Sequence, residues 1–251
     1  MDNNKKRLAL VTGGTGGIGT AICRELVDQG YTVVAGYYSG GNHEKARNWQ
    51  QDQAKDGYDI AIAYGDIVDY ESCKECVEGI QAEMGTIDVL VNNAGITRDT
   101  TFKRMTPTQW IDVINTNLNS MFNVTRLVID QMLEQDWGRV INISSNNGEK
   151  GQFGQTNYSA AKAGIHGFTK ALAQEVARKG VTVNTISPGY IATSMIMEVP
   201  EKVREGIRES IPVGRFGDPS EIARVVSFLA DEQSGFITGA NISANGGQYM
   251  H

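Results

Sequence analysis

Short apolar runs alternate with longer amphipathic stretches along the whole chain. The apolar runs are LALVTG, YTVVAGY, DIAIAYG, IDVLVNN, GRVINISS, VTVNTISPG and ITGANISANGG. Runs of this length that are rich in Val, Ile, Ala and Leu are typical of strands buried on both faces, and the stretches between them have helical periodicity. The alternation predicts βαβ units and an α/β fold, a doubly wound parallel sheet of about seven strands with helices on both faces.

Glycines and overall composition indicate how this fold is divided. Gly30, Gly57, Gly85, Gly138 and Gly180 each precede a predicted strand, where the C-cap of a helix requires a positive φ. The chain has 251 residues, of which 40% are hydrophobic, and no Pro- or Ser-rich linker or internal repeat separates its parts. We therefore expect a single domain over residues 1–251.

Charge and cysteine content argue against several classes of function. The formal net charge is -6 with the signs interspersed, so no basic stripe is present to bind nucleic acid. No apolar stretch approaches the roughly 20 residues of a membrane helix. An odd number of cysteines (Cys23, Cys73 and Cys76) and an N-terminus without a cleavage-site pattern favour a cytoplasmic location. Because neither the cysteines nor the histidines have metal-ligand spacing, we expect no metal.

The first predicted strand runs into a glycine-rich loop, TGGTGGIG, which precedes the helical stretch AICRELVDQG. Glycine lets the backbone turn sharply and approach a pyrophosphate, whose charge meets free N–H groups at the helix N-terminus. Because the loop lies between the first strand and the first helix of an alternating chain, it predicts a Rossmann-like dinucleotide site rather than a flexible turn. The loop residues predicted to bind the dinucleotide are Gly13, Thr15, Gly16, Gly17, Ile18 and Gly19.

A second group of polar residues includes the stretch GQTNYSAAKAG. Tyr158 and Lys162 are four residues apart in a segment predicted to be helical from about Asn157 to Ala177, so their side chains share one face. Ser145 ends a predicted strand at the carboxyl edge of the sheet. A tyrosine can protonate an oxygen that becomes negative as a hydride arrives, and a serine can hydrogen-bond that oxygen. A neighbouring ammonium lowers the pKa of a tyrosine and burial raises it, and the sequence leaves open which effect is larger. Singly these residues would suit a helix wall, but together with the glycine loop and NNAG they are candidates for a catalytic site.

These motifs resemble those of the short-chain dehydrogenases/reductases. The likeness rests on Thr-Gly-x-x-x-Gly-Ile-Gly, on GDI and NNAG, and on a Ser, a Tyr thirteen residues later and a Lys four beyond, with an upstream Asn in NTN. The resemblance implies a catalytic group of Asn117, Ser145, Tyr158 and Lys162, in which Asn117 holds a proton-carrying water and Lys162 also contacts the nicotinamide ribose. It implies that Asp66 bonds the adenine amino group. Besides Tyr158 and Lys162, the further cofactor contacts implied are Gly65, Asp66, Ile67, Asn93, Ala94, Gly95, Ile96, Pro188, Gly189 and Ile191.

The end of the second predicted strand bears on the choice of nicotinamide cofactor. An acidic residue there would hold the ribose 2′-hydroxyl and repel a 2′-phosphate, but the strand ends AGYYSGG without Asp or Glu. The loop has no arginine either and offers only Ser39, His43 and Lys45, with Glu44 beside them. We expect NADP(H) to be preferred, with NAD(H) as the alternative, and Tyr38, Ser39 and His43 to contact the cofactor.

Within the family, the chain most resembles the bacterial acetoacetyl-CoA reductases, in NNAGITRD, WGRVINISS, NGEKGQFGQTNYS and SPGYIAT. This resemblance implies NADPH-dependent reduction of acetoacetyl-CoA to (R)-3-hydroxybutyryl-CoA, a polyhydroxybutyrate precursor, by a homotetramer with a substrate lid at about 190–215. The lid stretch SMIMEVP has no basic side chain, so Lys202, Arg204 or Arg104 would have to meet the CoA phosphates. The substrate contacts implied are Asp99, Ser145, Gln152, Phe153, Gln155 and Tyr190.

Two other functions fit the same motifs. A 3-oxoacyl-acyl-carrier-protein reductase shares the fold and the chemistry. The helix before the fifth strand, however, carries Asp130, Glu134 and Asp136, which would repel an acidic carrier protein. Arg126, Arg178 and Lys179 keep this alternative open. The non-enzyme alternative is a cofactor-binding regulatory protein that has lost turnover, although the chain retains the full catalytic set.

Overall fold

The computed structural model of the chain describes residues 6–250, apart from the side chains of Ser39 and Met195. Within that range, one parallel sheet contains seven strands, β1 to β7 in chain order: Leu8–Thr12, Thr32–Tyr37, Ala61–Tyr64, Ile87–Asn92, Gly138–Ile143, Val181–Pro188 and Asn241–Ala244. Their spatial order is β3-β2-β1-β4-β5-β6-β7, so the winding direction reverses between β1 and β4. The doubly wound seven-stranded sheet predicted from the apolar runs is confirmed.

Helices cover both faces of this sheet. The α-helices of the described residues, α1 to α10, are Gly17–Asp28, His43–Lys55, Tyr70–Met84, Pro107–Ile114, Ser120–Glu134, Asn146–Lys150, Thr156–Val176, Ser194–Met197, Glu201–Glu209 and Pro219–Ala230. Side chains of α1, α2 and α10 pack on one face of the sheet, and those of α3, α5 and α7 pack on the other. Each face therefore has its own apolar core, as expected for strands that are hydrophobic throughout.

Burial along the sheet follows the position of each strand. Every residue of β1, β4 and β5 is buried, whereas the edge strands β3 and β7 are mostly half-buried. The prediction that Gly138 caps a helix was wrong: it lies in β5, and Asp136 takes the positive φ (53°) after α5. A Cβ atom on Gly138 would lie 2.7 Å from the Met132 sulfur, so close packing explains the glycine.

The reversal between β1 and β4 brings two loops together at the carboxyl edge of the sheet. The Thr12 hydroxyl at the end of β1 accepts hydrogen bonds from the backbone N–H groups of Asn93 (3.0 Å) and Ala94 (3.1 Å) after β4. The Asn93 amide donates in return to the Thr12 carbonyl at 2.9 Å. Parallel α/β sheets bind ligands at this kind of switch point, and the glycine loop and NNAG meet there.

The segment predicted as a lid contains α8 and α9 and crosses the same edge. Val199, Val203 and Ile207 from this segment line the cavity described below. Its movement as a lid stays a prediction. Among residues 6–250, no helix is long and apolar enough to cross a membrane.

Candidate active site

A cavity of about 1250 Å³ opens at the carboxyl edge of the sheet, beside the β1/β4 reversal. Its wall gathers most of the residues that the sequence predicted to contact a cofactor: Gly13, Thr15, Gly16, Gly17, Ile18, Gly19, Tyr38, Gly65, Asp66, Ile67, Asn93, Ala94, Gly95, Ile96, Tyr158, Lys162, Pro188, Gly189 and Ile191. His43 lies outside the lining, and the Ser39 side chain lies outside the described part of the chain. The fold thus brings together residues from opposite ends of the sequence.

The glycine loop has no room for side chains. A Cβ atom on Gly19 would lie 2.2 Å from the Gly13 carbonyl oxygen, and one on Gly14 would lie 2.7 Å from Ala35. Gly16 is the N-cap of α1 and no side chain caps this helix, so its first N–H groups face the cavity side without a side-chain partner. A bare helix N-terminus in a glycine cradle suits a pyrophosphate, and the loop fits a dinucleotide.

Asp66 lines the cavity and is fixed by its neighbours. Its Oδ1 accepts from the Val68 N–H at 3.0 Å, and its own N–H donates to the Ser72 hydroxyl at 2.9 Å. Among the described residues no donor occupies the other carboxylate oxygen. The carboxylate is therefore oriented by the chain and keeps an acceptor for a ligand amino group.

His43 belongs to an aromatic cluster behind the end of β2 instead of the cavity wall. Its Nδ1 pairs with the Tyr37 hydroxyl at 2.8 Å, and its ring meets the Tyr64 ring edge-on with centroids 4.9 Å apart. Tyr38, which does line the cavity, stacks on Tyr64 at 6.2 Å. The predicted direct contact of His43 with a cofactor therefore has no support in the cavity lining, because the ring is held by tyrosines.

Ser145, Tyr158 and Lys162 converge where β5 ends against α7. Lys162 is only 3% exposed, and its Nζ donates to the Ile143 carbonyl at 2.7 Å. Nζ also lies 5.6 Å from the centroid of the Tyr158 ring. Ser145 caps the N-terminus of α6, where its Oγ accepts from the Asn147 N–H at 3.1 Å. Three side chains that are distant in sequence thus share one wall of the cavity.

Burial dominates the acid–base properties of this group. Burial raises the pKa of Tyr158 to about 12; a hydrogen bond with Ser145 acts in the opposite direction, and the Asp99 carboxylate raises it further. Burial lowers the pKa of Lys162 to about 8, because the ammonium loses its hydration. The sequence left open whether burial or the neighbouring ammonium has the larger effect on the pKa of Tyr158. Burial has the larger effect, so the tyrosine keeps its proton at neutral pH, and the lysine titrates close to neutrality.

Asn117 lies behind the cavity wall in a π-helical turn, Asn115–Asn119, that joins α4 to α5. Its fully buried side chain accepts from the Ile96 N–H at 2.8 Å and donates to the Ile96 carbonyl at 2.8 Å. A Cβ atom on Gly95 would come within 2.8 Å of Asn117 Oδ1 and 3.6 Å of Lys162 Nζ. The side chain therefore fixes the backbone after NNAG, and π-turns of this kind are frequent at functional sites.

A chain of three polar side chains lines the part of the cavity predicted to contact the substrate. Gln155 Nε2 donates to Asp99 Oδ2 at 2.7 Å, and Gln155 Oε1 accepts from Asn147 Nδ2 at 2.9 Å. A carboxylate only accepts hydrogen bonds, so Asp99 dictates how both amides are turned. Tyr190 lies near Asp99, whose charge raises its pKa after the larger effect of burial. Asp99, Ser145, Gln155 and Tyr190 all line the cavity as predicted.

Gln152 and Phe153 do not join them. Gln152 Oε1 accepts from Lys150 Nζ at 2.7 Å, and Phe153 is 88% exposed. Neither residue belongs to the cavity lining, because the loop turns both side chains outward. Their predicted contact with the acyl group is therefore not supported by this arrangement.

Several residues of the site escaped the sequence analysis. Asn147 lies two residues after Ser145 in the stretch SSNNG, and its side chain is buried. Asn157 is fully buried and donates to the backbone carbonyls of Arg98 and Gln109, which fixes the start of α7. Ser144 donates to the Lys162 carbonyl at 2.8 Å. The lid residues lining the cavity, which pattern alone did not assign, are Ile196, Val199, Val203 and Ile207.

Comparisons with known proteins agree with this geometry. A family model described as short chain dehydrogenase matches residues 7–204. The acetoacetyl-CoA reductase of Cupriavidus necator is 55% identical over 245 residues, which cover 98% of this chain and 99% of the relative. Nodulation protein G of Azospirillum brasilense is 54% identical over 96% of this chain and 98% of the relative. The 3-oxoacyl-acyl-carrier-protein reductase FabG of Pseudomonas aeruginosa is 44% identical over 97% of this chain and 98% of the relative. The chain therefore belongs to the short-chain dehydrogenase/reductase family, whose members are oxidoreductases that bind nicotinamide cofactors.

Proposed function

We propose that the chain catalyses NADPH-dependent reduction of acetoacetyl-CoA to (R)-3-hydroxybutyryl-CoA, a precursor of polyhydroxybutyrate. The observation that carries the proposal is the convergence of Ser145, Tyr158 and Lys162 with the Asp99–Gln155 pair in one cavity. The 55% identity to an acetoacetyl-CoA reductase over nearly the whole chain supports the choice of substrate.

The chain's own residues would donate a proton and a hydrogen bond to the oxygen of the ketone. When bound, the nicotinamide cofactor supplies the hydride. The Tyr158 hydroxyl, which stays protonated at neutral pH, would donate its proton to the oxygen as negative charge develops there. The Ser145 hydroxyl would hydrogen-bond the same oxygen, an interaction that strengthens as the charge grows.

Lys162 would support this proton transfer from behind the tyrosine. Its charge near the Tyr158 ring favours loss of the phenolic proton in the transition state, and its pKa of about 8 leaves it mainly protonated at neutral pH. Asn117 would act indirectly, because its amide holds the backbone of Ile96 beside the cavity. A water-holding role for Asn117 would have to use its backbone, since the side chain is occupied.

Surface ion pairs also bear on the choice between a free CoA thioester and a carrier protein. Arg126 on α5 pairs with Asp130 at 2.7 Å, and Lys179 pairs with Asp136 at 2.9 Å. These are two of the three cations that kept the carrier-protein alternative open, and each is offset by a neighbouring carboxylate. A negatively charged carrier protein would therefore gain little from them, which favours the CoA thioester.

NADPH over NADH is the finer part of the proposal. The end of β2 carries Tyr37 and Tyr38 and has no carboxylate to repel a 2′-phosphate. We propose that NADPH is used several-fold more efficiently, as measured by kcat/KM with each cofactor. A higher kcat/KM with NADH would contradict the preference and leave the reductase chemistry untouched.

The proposal includes a cytoplasmic homotetramer with a lid over residues 190–215. The family likeness supports the tetramer, and the apolar cavity side of α9 supports the lid, because Val203 and Ile207 would cover an acyl group. Sedimentation equilibrium tests the tetramer, and a dimer or monomer would contradict it.

The central experiment compares two substrates. NADPH oxidation is followed with acetoacetyl-CoA and with acetoacetyl-carrier protein at equal concentrations. We expect kcat/KM to be at least tenfold higher for the CoA thioester. The reverse ratio would make the chain a carrier-protein reductase, and no oxidation with either substrate would favour the regulatory alternative.

A further inference from the structure

The C-terminal tail, residues 245–250, follows β7 and packs against the cavity residue Gly189. A Cβ atom on Gly189 would lie only 2.8 Å from Asn245 Cα. The buried Asn245 side chain fixes the course of the tail, because Oδ1 accepts from the Gly247 N–H at 2.9 Å and Nδ2 donates to the Tyr249 carbonyl at 2.9 Å. The tail thus has a defined conformation beside the cavity.

Gln248 in this tail bridges two parts of the chain that flank the cavity. Its Oε1 accepts from Asn146 Nδ2 at 3.2 Å, and its Nε2 donates to Ser210 Oγ at 3.4 Å. Asn146 is 2% exposed, lines the cavity and follows Ser145 directly. Ser210 is the C-cap of α9, whose residue Ile207 lines the same cavity. The tail therefore connects the neighbour of Ser145 to the end of the proposed lid helix.

The direction of each hydrogen bond in this chain of side chains is set at its outer end. Ser210 Oγ donates its single proton to the Ile207 carbonyl at 2.6 Å, so it faces Gln248 as an acceptor. Gln248 must then turn Nε2 to Ser210 and Oε1 to Asn146. Asn146 in turn presents Oδ1 to Ser145, whose Oγ donates to it at 3.4 Å.

This arrangement engages the one hydroxyl proton of Ser145. Its Oγ already accepts from the Asn147 N–H at 3.1 Å, and a hydroxyl donates to a single partner at a time. The acceptors that compete for the proton are Asn146 Oδ1, the Tyr158 oxygen and, in the proposed reaction, the ketone oxygen. If the Asn146 amide were reversed, its Nδ2 would donate to Ser145, and the serine proton would be free for the ketone.

We propose that Gln248 is a positioning residue: the orientation of its amide decides, through Asn146, whether Ser145 directs its proton to Asn146 or to the ketone oxygen. This inference rests on the proposed function and deepens it, because it assigns control of one hydrogen bond in that site.

Reversal of the two amides needs a change at the end of α9. Ser210 must redirect its hydroxyl from the Ile207 carbonyl to Gln248 Oε1, so the end of the proposed lid helix takes part in the choice. Both hydrogen bonds of 3.4 Å are longer than the usual maximum of about 3.2 Å, which makes the present orientation easy to reverse.

The test replaces Gln248 by side chains that permit one orientation only. Gln248→Glu can only accept, so it keeps Asn146 Oδ1 turned to Ser145; Gln248→Lys can only donate, so it turns Asn146 Nδ2 to Ser145. With NADPH and acetoacetyl-CoA at saturation, we expect kcat to fall about fivefold in Gln248→Glu and to rise about twofold in Gln248→Lys, because one hydrogen bond changes a rate severalfold. KM for NADPH should stay the same. Gln248→Leu, which can neither accept nor donate, should give a kcat between the two.

Charge itself is the competing explanation, because a cation near the site would favour a developing negative charge. Met250→Glu and Met250→Lys place the same charges two residues further along the tail, on a side chain that is 76% exposed, and should leave kcat unchanged. The opposite effects of the two Gln248 variants should persist at about 0.5 M salt, which screens exposed charges.

The role of Asn146 is tested in combination with Gln248. In an Asn146→Val background, Gln248→Glu and Gln248→Lys should have equal kcat values, because no amide remains to pass the orientation on to Ser145. Changes of the same sign in the two Gln248 variants, or a difference that persists in the Asn146→Val background, would overturn the inference.

Failure of this positioning role is distinguishable from failure of the proposed function. If the wild type reduces acetoacetyl-CoA and the Gln248 variants have the wild-type kcat, only the positioning role fails. If the wild type reduces neither acetoacetyl-CoA nor acetoacetyl-carrier protein, the proposed function fails and the inference falls with it. If only the carrier-protein thioester is reduced, the substrate assignment is wrong, and the same variants decide the role of Gln248 with that substrate.

Discussion

The end of the cavity at the glycine loop is the proposed nucleotide end, and the end at Asp99 and Gln155 is the proposed substrate end. These two ends are built in different ways. At the nucleotide end, the loops after β1 and β4 present backbone and glycine, and the Thr12–Asn93 contacts hold them together within a few residues of the strands. At the substrate end, the wall consists of side chains from separated segments, such as Asp99, Gln155 and Tyr190.

This difference predicts two kinds of sensitivity. A backbone wall tolerates no added atom, because the neighbouring backbone cannot move away cheaply. A side-chain wall tolerates changes of shape but depends on the orientation of a few hydrogen bonds. We therefore expect substitutions at the two ends to change different kinetic constants. Substitutions of the proposed catalytic residues between them should slow the chemical step.

The largest effect is expected at the boundary, from Tyr158→Phe. This change removes the proton donor and keeps the ring, so kcat should fall by at least about 1000-fold while the affinity for NADPH changes less than about threefold. Steady-state NADPH oxidation and a fluorescence titration of NADPH give the two values. Tyr70→Phe, on an exposed ring stacked on Phe122, is the matched control and should retain full activity. Retained turnover in Tyr158→Phe would exclude Tyr158 as the acid.

The next largest effect is expected at the nucleotide end, from Gly19→Ala. The new Cβ atom would lie 2.2 Å from the Gly13 carbonyl, so the loop must shift and the affinity for NADPH should fall about 100-fold. Gly79→Ala is the control: its Cβ meets nothing within 4 Å inside α3, and it should stabilise that helix by about 1 kcal/mol. Dissociation constants from fluorescence and urea denaturation distinguish the variants. Equal affinities would contradict a rigid glycine cradle.

The same contrast explains how much of the fold and of the cavity could be predicted from the sequence. The seven strands, the glycine loop and α7 were predictable, because apolar runs and glycines are local signals; α7 spans Thr156–Val176 against a prediction of about 157–177. Tyr158 and Lys162 were predictable because four residues make one helical turn. The nucleotide end was therefore largely visible in the sequence.

The substrate end was less visible because its partners are distant in sequence. Nothing local indicates that Gln155 meets Asp99, which lies 56 positions away, or that Asn147 completes the chain of hydrogen bonds. Gln152 and Gln155 look equivalent in GQFGQ, yet only Gln155 faces the cavity. The reason is the loop conformation, in which Gly151 and Gly154 both take positive φ values, and residue pattern does not specify it.

Gln152 and Gln155 allow a test at the substrate end with a smaller expected effect and a closely matched control. Gln155→Leu removes the bridge between Asp99 and Asn147, so we expect KM for acetoacetyl-CoA to rise about tenfold with the affinity for NADPH unchanged. Gln152→Leu is the matched control, because Gln152 pairs only with Lys150 outside the cavity, and its KM should change less than twofold. Equal effects of the two changes would show that both side chains reach the substrate.

The smallest effect should come from titration of Lys162, whose pKa burial lowers from 10.5 to about 8. Above that pH the lysine loses its charge, so kcat/KM for reduction should decline severalfold between pH 7 and 9; Tyr158, with a pKa of about 12, stays protonated throughout. Stability should respond in the opposite direction. Between about pH 8 and 10.5 the unfolded chain binds the proton and the folded chain does not, so the contribution of this lysine to the free energy of unfolding rises with pH.

A comparison of the wild type with Lys162→Met isolates that contribution. The free energy of unfolding is measured with urea from pH 7 to 10 for both proteins. The value for the wild type minus that for Lys162→Met should increase over this range by up to roughly 3 kcal/mol. General alkaline unfolding would lower activity and stability together, so opposite trends identify the buried lysine as their common cause. A pH-independent difference would mean that Lys162 does not titrate near neutrality, and the loss of activity would then need another group.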